Sequence, residues 1–170
     1  MAAGNTYVAI ASTTLTSTAN SITFSSIPAT YTDLVIVGVG QGYTSPSYGQ
    51  LQLFLNGDTS TNYSQTRVQE FAGSASSNRQ TSWANGFPTS WLDWGTANQN
   101  VGMSILNVMN YANTTTYKTV LSRGFTPGFK TELSVLLWRS TAAITTINVA
   151  VNDTPMNVTT VFSLYGITAA

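Results

Sequence analysis

Short apolar runs with a two-residue period recur along this chain, and turn residues separate them. Val8 and Ile10 begin the first run, and Ile22 and Phe24 mark the next. Leu34 to Val39 is apolar at almost every position, the pattern of a central strand covered on both faces. Leu51, Leu53 and Leu55 alternate with Gln52 and Phe54 and stop at Asn56-Gly57-Asp58, a strong turn signal. Met103 and Ile105 share one face while Leu106 and Val108 share the other. That phase slip predicts a bulge, or a strand buried on both sides. Further runs follow at Tyr117-Thr119-Leu121, at Leu133-Val135-Leu137 before Trp138, at Ile147-Val149-Val151, and from Val161 to Tyr165. Helix has little support: there are two Glu and two Lys, and β-branched residues dominate. The expected fold is all-β, an antiparallel, jelly-roll-like β-sandwich of 8–9 strands.

Two segments fall outside that pattern. Residues 1–6 are small, polar and unpatterned, and read as an N-terminal arm ahead of a single domain over 7–170. Residues 72–100 read as one long loop that holds three of the four tryptophans. A loop of that length in a compact domain is often functional.

Composition narrows the function classes. The chain has no Cys and no His, which removes disulfides, thiolate or imidazole metal sites and His-dependent triads. No cofactor is expected. Net charge is zero and the six cations are spread from Arg67 to Arg139, so phosphate-driven nucleic-acid binding is not expected. No apolar run is long enough to suggest a membrane span, and the start of the chain lacks the pattern of a signal peptide, so a soluble, unprocessed chain is expected. Ser, Thr, Asn and Gln make up 68 of 170 residues, against 12 charged ones. A folded surface of roughly 8,000 Å² with so few charges suits a protein covered by partners or one that binds neutral hydroxylated material.

Three constellations are chemically suggestive. Asp93 lies between Trp91 and Trp94, where a carboxyl beside a sugar platform could work with a second acid; a turn cap paired with Arg79 is the simpler reading. Oxygen-bearing residues alternate over Asn56 to Asn62, as in a calcium loop, but the twelfth position is Arg67 instead of a bidentate Glu. Turn chemistry explains that loop without metal. The aromatic group Trp83, Phe87, Trp91 and Trp94 is the strongest candidate for contact with a protein partner or a glycan. Trp138, inside a strand, reads as core.

Ser21-Ile22-Thr23-Phe24-Ser25-Ser26-Ile27-Pro28-Ala29-Thr30-Tyr31-Thr32-Asp33-Leu34 resembles a segment common in structural proteins of tailed bacteriophages, cyanophages included. Leu53-Phe54-Leu55-Asn56-Gly57-Asp58 with Asn62-Tyr63-Ser64, and the closing Val161-Phe162-Ser163-Leu164-Tyr165-Gly166-Ile167, resemble them too. These motifs are strand and turn residues and carry no catalytic group. The resemblance implies a β-sandwich virion component without enzymatic activity. Its implied role is a capsid cement (decoration) protein, a homotrimer bound to the major capsid protein on the virion surface. The alternative it leaves open is a receptor- or glycan-binding module on a tail or fibre.

Overall fold

The computed structural model describes residues 6–41, 50–86, 101–128, 130–152 and 155–168. Among them are eleven strands and no helix: β1 (Tyr7–Thr14), β2 (Ser21–Phe24), β3 (Asp33–Gly40), β4 (Leu51–Leu55), β5 (Tyr63–Phe71), β6 (Ser74–Trp83), β7 (Gly102–Met109), β8 (Lys118–Thr126), β9 (Lys130–Trp138), β10 (Ile147–Val151) and β11 (Val161–Ile167). Eight form one sheet in the order β1-β11-β3-β7-β8-β9-β5-β6, and β2-β10-β4 form a second. Every pairing is antiparallel. The chain passes back and forth between the sheets in a jelly-roll-like sandwich.

Alternation explains how the layers meet. Ile22 and Phe24 of β2, Leu51, Leu53 and Leu55 of β4, and Ile147 and Val149 of β10 point inward from the small sheet. They join Leu34, Ile36, Leu106, Val108, Val120, Leu136, Phe162 and Leu164 of the large sheet in one cluster. Burying each such side chain contributes about 1.5–3 kcal/mol before chain entropy is counted. β3 lies between β11 and β7, and Leu34, Val35 and Ile36 are all buried, as the unbroken apolar run predicts. Gly38 lies beneath Phe162: a Cβ there would sit 2.3 Å from the ring, so only glycine lets the aromatic lie flat on the sheet. Trp138 is core, 2% exposed.

Two expectations need correction, and a third, which offered two alternatives, is decided for the strand covered on both sides. There are more strands than eight or nine, because β5 and β6 lack an apolar signal. The expected loop at 72–100 begins instead as β6, ten residues long and exposed on nearly every position. An edge strand that is wet on both faces needs no hydrophobic period; the β5 ladder alone satisfies its backbone on one side. Ala72 and Gly73, at φ +48° and +84°, close the hairpin between them with a two-residue turn. The phase slip in β7 is not a bulge, since its register with β3 and β8 is unbroken. Gly102, Ser104, Leu106 and Val108 are buried, and Met103, Ile105 and Asn107 half-buried on the other face. The irregular registers fall at Ala9–Ala11 of β1 and at Tyr63–Gln65 of β5.

The Asn56-Gly57 turn forms as expected, with both residues at positive φ (52° and 68°). It does not close a hairpin, because β4 and β5 belong to different sheets. Its role is to carry the chain across the layers. The Asn56 side chain fixes that crossing, donating to the Ala143 carbonyl and accepting from the Thr145 and Thr146 amides.

Candidate functional site

The sequence candidates divide by where they fall. Phe87, Trp91 and Trp94, with Asp93, lie outside the described residues. Trp83 ends β6 opposite Tyr63 and is 37% exposed. It lines a crevice with Tyr63, Gln65, Gln80 and Leu136 that has no room for a water molecule. There it shields the open end of the sandwich as much as it presents a surface. Of the four candidates only Trp83 is among the described residues.

The loop after Asn56 is settled by its hydrogen bonds. Asp58 Oδ1 accepts from the Ser60 amide, and its Oδ2 accepts from Asn62 Nδ2 and from the Trp138 indole at 2.7 Å. Partial burial alone would raise the Asp58 carboxyl, but the bonds from Asn62, Trp138 and Ser60 together outweigh it and hold the pKa below its ordinary value. The carboxylate is thus a structural clasp between turn and core. Among the described residues no group of three acidic or metal-binding side chains could hold an ion.

The unexpected chemistry lies on β8, β9 and β5. Along β9 the usual alternation is inverted: Lys130, Glu132 and Ser134 are buried, whereas Leu133 and Val135 are 48% and 46% exposed. Register carries the inversion across the sheet. On the inner side Gln65 stands in register with Leu136, Arg67 with Ser134, Gln69 with Glu132 and Phe71 with Lys130. Ser122, Gly124 and Thr126 of β8 continue the same rows. None of the polar residues in these rows belongs to the shared apolar cluster.

Lys130 Nζ and Glu132 form an ion pair at 2.8 Å with both side chains out of solvent. Burial pushes the Lys130 ammonium down to about 7, and the positive Arg67 adds to that shift. Burial also lowers Arg67. The Ser122 and Ser134 hydroxyls share a hydrogen bond of 2.7 Å. Among the described residues Gln65 Nε2, Gln69 Oε1 and Thr126 Oγ1 find no hydrogen-bond partner, each at a cost of about 1–3 kcal/mol.

The outer side carries the complementary surprise. Val68, Leu133, Val135, Leu121 and Phe125 are all at least 40% exposed. Leu133 faces Val68 and Val135 faces Leu121 across adjacent strands, so the five form a continuous apolar surface. Half-buried Ile105, Met103 and Leu137 extend it. Shallow clefts of about 500 and 560 Å³ flank it on either side of Glu70. Scattered surface leucines are ordinary, but a contiguous apolar sheet face marks a contact surface. Reading the sequence for loops and aromatics misses it. The available signal was the run Lys130-Thr131-Glu132-Leu133-Ser134-Val135, whose charges and aliphatics cannot share a face.

Comparison with protein-family models and with curated proteins finds no match. Among solved structures, the galectin LEC-6 of Caenorhabditis elegans is similar at a TM-score of 0.35 and 8% identity, over 99% of this chain and 100% of that one. The PL-14 alginate lyase of Aplysia kurodai is similar at 0.30 and 10%, over 85% of this chain and 72% of that one. Likenesses this distant carry no argument about function.

Proposed function

We propose that this chain is a non-enzymatic structural protein of a bacteriophage virion, a decoration protein that docks on the assembled capsid and stabilises it. The observation that carries the reading is the exposed apolar outer face built by Val68, Leu121, Phe125, Leu133 and Val135, which marks a chain made for an assembly in which protein covers it. Keeping that much aliphatic surface wet is unfavourable, and covering it with protein recovers about 25 cal/mol for each Å². The strand motifs that resemble tailed-phage structural proteins supply the setting. The major capsid protein is then the partner and the virion surface the location. A surface rich in Ser, Thr and Asn and poor in charge adds hydrogen bonds to such a contact with little desolvation of ions.

A protein that binds the assembled shell and not its free subunits stabilises the shell by mass action. The test is to add purified chain to expanded shells that lack it and follow co-sedimentation and the temperature at which shells disrupt. Saturable binding with a rise in that temperature is expected. Shells that neither retain the chain nor gain stability would overturn the proposal.

A further inference from the structure

We propose that a second copy of this chain covers the outer face of β8, β9 and β5 through a two-fold contact in which Arg123 of each copy pairs with Glu70 of the other. The inference rests on reading the chain as a component of an assembly: a second copy covers this face, and the resulting dimer meets the shell through its remaining Ser-, Thr- and Asn-rich surface.

Charge placement is the first argument. Arg123 stands in register with Ile105 on one side and Leu133 on the other, and shares its strand face with Leu121 and Phe125. Its neighbours on that face are therefore apolar. Among the described residues it has no ion-pair partner, and neither has Glu70. Glu70 is nonetheless held in place, because its Oε1 accepts the Gly73 amide of the β5–β6 turn. A guanidinium ringed by aliphatics calls for a carboxylate from whatever covers it.

Geometry is the second. Arg123 lies in the row Ile105–Arg123–Leu133–Val68, and Glu70 in the next row, Phe125–Thr131–Glu70. Two strand spacings and one same-face step put the two about 12 Å apart on the diagonal. Its midpoint falls on β9 between Thr131 and Leu133. A two-fold axis lying in the plane of contact, perpendicular to the diagonal at that point, places each Arg123 over the other copy's Glu70. The contact is self-complementary, as a closed dimer requires. It puts the exposed Leu133 near the centre and leaves polar β6 at the rim, the usual anatomy of a stable interface.

Area is the third. The five strands centred on β9, from β7 to β6, span a face of about 700 Å², close to the roughly 800 Å² per partner of a standard interface.

Sedimentation equilibrium of the full chain tests the pairing with Arg123→Glu, Glu70→Arg and the double reversal. Both positions are exposed, and circular dichroism confirms that each variant is folded. The expected pattern is a dimer for the unaltered chain, association weakened at least tenfold by either single reversal, and recovery in the double. A monomeric unaltered chain, or a double reversal no better than the singles, would overturn the inference. Shell binding separates the two proposals. A monomer that still decorates shells sinks the pairing alone, whereas a dimer that ignores shells sinks the capsid role alone.

Discussion

The two ends of β9 are built on opposite principles. Its C-terminal half, Leu136 and Trp138, buries apolar side chains beneath the small sheet, where β4 and β10 supply Leu53, Leu55 and Ile147. Its N-terminal half buries Lys130, Glu132 and Ser134 and turns Leu133 and Val135 outward. The same strand, in one register with β8 and β5, thus serves a dry core at one end and a polar interior at the other. What differs is what lies beneath: on β8 and β9 the apolar cluster ends at Val120 and Leu136. Beyond that level the hydrophobic surface is on the outside, where only another molecule can cover it.

The largest effect should come from breaking the polar half at its ion pair. Glu132→Leu alone removes the carboxylate that offsets the buried Lys130 charge and should cost about 3–5 kcal/mol. Lys130→Met with Glu132→Leu should lie near the unaltered chain or above it. Denaturant midpoints read both, and equal losses in the single and double variants would show that the pair is not the determinant.

Next comes the contrast within one strand. Leu136→Ala should cost about 2–5 kcal/mol because it opens a cavity in the shared core. Leu133→Ala, three residues earlier and on the exposed face, should change monomer stability by about 0.5 kcal/mol or less. The second substitution should show instead as weaker association in sedimentation. Similar unfolding midpoints for the two would erase the distinction between the faces.

Asp58→Asn probes the clasp between the crossing loop and the apolar end of β9. Losing a charged acceptor for the Trp138 indole should cost about 1–2 kcal/mol at neutral pH. The sign with pH follows from the lowered pKa. The folded state binds fewer protons than the unfolded one, so the contribution is full above the ordinary carboxylate value of 3.8 and fades as pH falls through the folded pKa. Unaltered and Asp58→Asn proteins should therefore converge in acid melts below about pH 3.8.

The last contrast is in pH dependence and concerns Lys130. Its folded pKa of about 7 lies below the ordinary 10.5. The unfolded chain therefore binds more protons across that window, and stability should rise as pH climbs from about 7 toward 10.5. The double variant Lys130→Met with Glu132→Leu should flatten that slope in a pH series of thermal melts.

Much of the sandwich was legible because its strands obey local rules. Ile22 and Phe24, the three leucines of β4, Ile147 to Val151, and Phe162 with Leu164 each alternate against a real opposing layer, so period and burial agree. The Asn56-Gly57 turn announced itself through the two residues that tolerate positive φ. β5 and β6 gave no such signal, since an edge strand exposed on both faces can be spelled Ser-Ala-Ser-Ser-Asn-Arg-Gln. Of the site the sequence marked only Trp83 among the described residues, and it did so for its ring, which lines a closed crevice.

By itself, then, the sequence determined the class of fold, most strand positions and the exclusion of thiol and imidazole chemistry. Period, turn residues and composition are properties of the chain alone. It did not determine which of two alternating sets on β9 faces inward. That depends on where the second sheet ends, and the width of a sheet is set by pairings between residues distant in the chain. Only the assembled layers turn Leu133, Val135, Leu121, Phe125 and Val68 into one exposed surface with Arg123 and Glu70 set across it, because β5 meets the β8–β9 hairpin only through pairing with residues distant in the chain.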